Sequence, residues 1–185
     1  MAGKTEGQYD RIIAECRALY EAKFDDYGAS WRVMRPSAIT DQIFIKAQRI
    51  RTLQDKRETK VGECPRNEFI GIVNYGIMGL VQLEEGYTAE PEVDKMLMMG
   101  WYDKFSQQAK SLMVKKNHDY GEAWRSMRIS SITDIIMQKV FRTKQIEDNS
   151  GATKVSEGID ANYMDMINYA IFALILIEEG HDMMV

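Results

Sequence analysis

The chain spells one loop twice: KFDDYGASWRVMRPSAITD at 23–41 returns as KNHDYGEAWRSMRISSITD at 116–134. Extending the match to 23–49 against 116–142 gives identity at 15 of 27 positions, where ordinary residue frequencies give roughly two by chance. One extra residue enters the second half before Thr-Lys-Val (59–61 against 153–155), after which Asn74-Tyr75 answer Asn168-Tyr169 and Leu83-Glu84-Glu85-Gly86 answer Ile177-Glu178-Glu179-Gly180. Two copies of one unit in one chain predict a pseudo-twofold arrangement, the covalent equivalent of a symmetric dimer. The copies are expected at 1–86 and 92–185, joined near YTAEP at 87–91 and packed as one domain.

The unit reads as helical. Tyr9, Ile12, Ile13, Cys16, Leu19, Tyr20 and Phe24 recur every three or four residues, predicting an amphipathic helix that ends at a left-handed glycine cap, Gly28. Ser37 is the expected N-cap of a second helix with the stripe Ile39, Ile43, Ile50 and Leu53, running to about Asp55. EFIGIVNYGIMGLVQLEEG is apolar almost all round and should lie in the centre, stopping at Gly86. The order then repeats: a short leader helix and a long first helix ending at Gly121, a second helix opened by Ser130 or Ser131, and a third helix stopping at Gly180. An almost wholly apolar helix cannot be covered within a three-helix unit. The third helices should therefore pack on each other, with Gly71, Gly76 and Gly79 allowing close approach. The expected fold class is all-α: an internally duplicated three-helix unit forming a pseudo-twofold six-helix bundle.

Charge and hydropathy remove several function classes. The 28 acidic against 24 basic residues, a net charge of −4 without long single-sign blocks, offer no footprint for a polyanion, so direct binding of duplex nucleic acid is not expected. The apolar runs 69–83 and 163–177 are too short for a bilayer and contain Asn74, Asp165 and Asn168. No membrane partner and a cytoplasmic location follow as expectations. Cys16 and Cys64 lie in no metal-ligand or disulfide spacing.

The functional signal is in the repeated charges. At 100° per residue Lys46 falls within the apolar stripe of its helix, and Lys139 lies likewise among Ile132, Ile136 and Ile146. An ammonium facing the interior needs an acid, carbonyls or a bound anion. Glu84-Glu85 and Glu178-Glu179, at helix C-termini where the macrodipole disfavours acids, are the expected internal partners, with Arg49 and Arg142 one turn further on. The alternative companion is a ligand phosphate. Lys23, Arg32, Arg35, Lys46 and Arg49, with Lys116, Arg125, Arg128, Lys139 and Arg142 in the second copy, would hold it. Asp26, Asp41 and Asn74 could hold Mg²⁺ or a sugar hydroxyl, and Asn168 is the ligand-binding candidate that answers Asn74 in the second copy. Tyr27 and Trp31, answered by Tyr120 and Trp124, would offer flat faces to a base. Neither a Walker loop nor a dinucleotide fingerprint occurs, and His118 and His181 complete no catalytic triad.

The pattern K-x-x-D-Y-G-x-x-W-R-x-M-R-x-S-x-I-T-D-x-I-x-x-K-x-x-R, followed by N-Y on an apolar helix, resembles the nucleotide modification associated domain of the first type, in two tandem copies. That resemblance implies a role in nucleotide or modified-base metabolism. The chain is more loosely similar to the all-α MazG-like NTP pyrophosphatases, which hold Mg²⁺ with paired acidic motifs on neighbouring helices. Here the first copy has Gly71-x-x-Asn74 and the second Asp165-x-x-Asn168, without E-x-x-E on the preceding helix, so a metal cage is in doubt.

Three functions remain open, and whether the chain is an enzyme stays undecided among them. One is a protein that binds or processes a nucleotide or other phosphorylated small molecule, with a site in each copy. The second is a Mg²⁺-dependent pyrophosphohydrolase using Asp119, Asp134 and Asp165, with Asp165 as metal ligand. The third is an interaction module whose repeated charges are internal ion pairs. A homodimer is compatible with each.

Overall fold

Apolar residues at helical spacing fold into six long α-helices, and among the described residues there is no strand. The computed structural model describes residues 3–58, 60, 62 and 64–185; Thr59 and Val61 of the matched Thr-Lys-Val lie outside the described residues. The first repeat is α1 (Lys4–Tyr27), a 3-10 turn at Ser30–Val33, α2 (Pro36–Lys56) and α3 (Pro65–Glu85). The second is α4 (Lys95–Tyr120), a 3-10 turn at Ala123–Ser126, α5 (Ile129–Asp148) and α6 (Ile159–Glu178).

The two apolar helices, α3 and α6, pack against each other at the centre, and α2 and α5 each cover one of them and meet. Two glycines let the central pair close. A Cβ added to Gly76 would lie 2.5 Å from Ile167 Cγ1, and one added to Gly79 would lie 2.8 Å from the Tyr163 ring. Gly71 serves a different neighbour: a Cβ there would meet the Lys46 side chain of α2 at 2.5 Å, not α6.

Pseudo-twofold symmetry extends to individual hydrogen bonds. Asn74 Nδ2 donates to the Cys16 carbonyl at 3.1 Å, and Asn168 Nδ2 to the Ala109 carbonyl at 3.0 Å. Tyr9 of the first repeat donates to Asn168 Oδ1, and Tyr102 of the second donates to Asn74 Oδ1, both at 2.8 Å. Each repeat thus lends the start of its first helix to the other repeat's central helix. Between α2 and α5, Thr40 Oγ1 donates to Glu147 Oε1 at 2.7 Å, while at the matching place Gln54 Nε2 donates to Thr133 Oγ1 at 3.1 Å.

Several sequence expectations need correction. Pro36, not Ser37, opens α2, because proline's fixed φ and missing N–H suit the first helical turn; Arg35 is its N-cap residue and makes no side-chain cap bond. Ile129 rather than Ser130 or Ser131 opens α5. No separate leader precedes α4, which runs unbroken from an Asp94 cap whose carboxylate accepts from the Leu97 N–H. Gly121 is the left-handed cap expected (φ 61°, ψ 34°), but Gly28, at φ 68° and ψ −154°, leaves α1 by another path. Among the described residues no helix is long and apolar enough to cross a membrane.

Candidate functional site

The repeated loop places a tryptophan against the core just after the first helix of each copy, and beside each lies a cavity. In the second repeat it is about 320 Å³, walled by α4, the 3-10 turn, α5 and α6. In the first repeat it is about 110 Å³, walled by matching elements with Met98 of α4 added. Both are lined by the duplicated lysines (Lys23 and Lys46; Lys116 and Lys139), tyrosines (Tyr27 and Tyr75; Tyr120 and Tyr169), tryptophans (Trp31; Trp124) and asparagines (Asn74; Asn168). The folding of two distant lysines into one cavity follows from Lys116 lying one turn before the end of α4 while Lys139 sits mid-α5 on the face turned to α6.

Neither lysine on the apolar stripes lies free. Lys139 Nζ is 2.9 Å from Asp165 Oδ2, and Lys116 donates to Asp165 Oδ1 at 2.6 Å; the carboxylate they share is only 5% exposed. Burial works to lower the Lys116 pKa, but the hydrogen bond to Asp165 and the carboxylate's charge outweigh it and hold the ammonium above the ordinary lysine value. In the first repeat Gly71 stands at the position of Asp165, and the acid is found one helical turn earlier. Glu68 accepts from Lys46 at 3.3 Å and from Arg49 at 3.0 Å. Its counterpart in the second repeat is neutral Asn162, which donates back to the Gly158 carbonyl.

The acids expected to serve these lysines have other partners. Glu84 pairs with Lys104, Glu178 with Arg11, and Glu179 with Lys4 and Arg125. They sit at the outer ends of α3 and α6, about four turns from the acids that do serve, Glu68 and Asp165.

Among the predicted arginines none lines either cavity. Arg32 is buried beneath Trp101, bonded to the Gln82 side-chain oxygen and, at 2.6 Å, to the Gly86 carbonyl. Arg125 donates to Glu122, Glu179, Thr5 and Gln8, fastening the start of α1 to the second repeat. Arg35 and Arg128 are exposed at the starts of α2 and α5, and Arg142 is exposed on α5. Asp26 is also exposed.

The three candidate catalytic carboxylates are not gathered. Asp119 is exposed beside His118, Asp134 faces Arg51 at 3.9 Å, and Asp165 alone reaches a cavity. Among the described residues no group of three His, Cys, Asp or Glu is placed to hold a metal ion. Asp165, already neutralised by two ammonium groups, is a poor nucleus for one. Cys16 offers no nucleophile, since burial pushes its thiol up to about 12.

Trp124 is placed differently from the expected base platform. Phe172 is stacked parallel on its indole at 4.2 Å between centroids, and the Arg125 guanidinium lies 4.4 Å from its centre. Protein groups already occupy its π surface. What remains is its edge: Nε1–H is buried and has no hydrogen-bond partner among the described residues. Tyr20, which lines the first cavity, has a comparable orphan in its buried hydroxyl. Burial drives that phenol's pKa upward, keeping it a protonated donor. The flat faces left open are those of Tyr120, 74% exposed at the mouth, and half-buried Tyr169.

Sequence reasoning missed Glu68, Asp165's two-lysine bridge, Tyr20, Tyr169 and Phe172. Glu68 had a visible signal, because Glu68/Gly71 against Asn162/Asp165 is a compensating exchange of acid and neutral residue one turn apart.

Fold and cavities define a class: an all-α, internally duplicated protein with one lysine- and tyrosine-lined cavity in each repeat. The sequence model of nucleotide modification associated domain 1 matches residues 23–83 and again 116–177. The chain belongs to that family, as two tandem copies. No curated protein and no solved structure matches it.

Proposed function

We propose that the chain binds a nucleotide, or a closely related phosphorylated nucleoside, and that the cavity of the second repeat is its principal site. The observation that carries this reading is the convergence on one cavity of two ammonium groups, Lys116 and Lys139, around the buried Asp165 carboxylate. The volume of about 320 Å³ falls at the small end of ligand pockets. Tyr120 and Tyr169 supply faces for a base. Membership of a family associated with nucleotide modification agrees in direction.

A thermal-shift and calorimetric screen over nucleosides and nucleotides tests the reading. Binding raises the melting temperature by the linkage RT ln(1 + [L]/Kd), and Lys139→Met abolishes the rise. No shift with any of them at millimolar concentration removes it. A second reading, an interaction module without a ligand, is favoured by one observation: each inward lysine already has a carboxylate.

A further inference from the structure

Resting on that reading, we infer that the second-repeat cavity takes a nucleoside bearing a single phosphate, and that Asp165 is the residue that sets this limit. Lys116 and Lys139 bring two positive charges to the cavity and Asp165, bonded to both at 2.6 and 2.9 Å, removes one. One surplus positive charge faces the ligand. A phosphate monoester carries about −1.5 to −2 at neutral pH, most of which this surplus offsets. Each added phosphate needs further cations. The arginines that could supply them are placed elsewhere: Arg125 is held by Glu122 and Glu179, and Arg128 and Arg142 lie exposed outside the lining.

The discriminating step is electrostatic. A polyphosphate pushed toward the two lysines meets a carboxylate that is 5% exposed and fixed between them. The first repeat has no such barrier at the matching position, where Gly71 instead gives room to the Lys46 stem. Its cavity of about 110 Å³ is too small for a nucleoside, however.

Calorimetry on the full chain, with the nucleoside and its mono-, di- and triphosphate for each common base, with and without Mg²⁺, decides the point. The monophosphate should bind tightest in whichever base series binds, with the triphosphate weaker by about fivefold or more. In Asp165→Asn the ratio of triphosphate to monophosphate affinity should rise about tenfold, since one opposing charge is gone. A triphosphate that binds wild type as tightly as the monophosphate overturns the inference and leaves nucleotide binding standing. No binding by any member overturns both. An unchanged ratio in D165N overturns the role of Asp165. Should D165N not fold, the wild-type series decides alone.

Discussion

The two repeats solve one electrostatic problem at two addresses. In the first, the acid that meets the inward lysine is Glu68, near the start of α3, where Arg49 shares it. In the second it is Asp165, one turn further along α6, where Lys116 shares it. Moving the acid by a turn takes it from beside the cavity into the cavity lining. The packing frame hardly notices, because the Asn74 and Asn168 bonds and the central helix pair are retained. The frame is therefore held common to both copies while the charge lining the cavity differs.

The largest effect should come from stripping Asp165 of its partners. Lys116→Met with Lys139→Met strands a buried carboxylate and should lower stability by about 3–5 kcal/mol in urea unfolding. Lys46→Met should cost clearly less, since Arg49 remains on Glu68. Equal losses would break the contrast.

Next come the shared asparagines. Asn74→Ala and Asn168→Ala each remove a bond to a helix carbonyl and leave a tyrosine hydroxyl without its acceptor, an expected loss of about 2–4 kcal/mol apiece. The two values should agree within error, and a twofold difference would show that the frame is less symmetric than its hydrogen bonds.

Gly79→Ala tests the central seam. The new methyl meets a Tyr163 ring held by Thr40 and the Pro36 carbonyl, so overpacking should cost about 1–3 kcal/mol. The second repeat carries Ala173 there. Ala173→Gly should cost only about 1 kcal/mol, mostly helix propensity, measured by the same unfolding curves.

The smallest effect concerns Glu147, whose counterpart is Gln54. Burial raises its pKa, although the Thr40 hydroxyl partly opposes this. A carboxyl with a folded pKa above its unfolded one binds its proton more readily when folded, so stability falls as pH rises between the two values and stays lower above them. Glu147→Gln should therefore stabilise the protein near neutral pH. After allowance for solvent screening at this half-buried site, about 0.5 kcal/mol is expected. The gain should vanish below the unfolded carboxyl range, and a constant gain across pH would point away from the charge.

Duplication, helical class and the pairing of the apolar helices were legible because they rest on periodicity and self-similarity. The inward lysines were legible for the same reason, by their angle on a stripe. Their partners were not, because Glu68 and Asp165 lie on a neighbouring helix whose rotation depends on packing at Gly76 and Gly79. Helix starts were misplaced where Pro36 took the first-turn position from Ser37. Trp31 and Trp124 were visible as repeated aromatics, but the parallel stacking of Phe172 on Trp124 depends on how α6 meets the 3-10 turn.

The exchange of tyrosines, Tyr9 reaching Asn168 and Tyr102 reaching Asn74, bears on how such a molecule changes over generations. A solitary copy would need a twin to finish its interior, and in an assembly of identical twins every substitution lands in both places at once. Tethering the halves through 87–94 ends that constraint: either half can drift in the charge and shape of its cavity while the other continues to brace it.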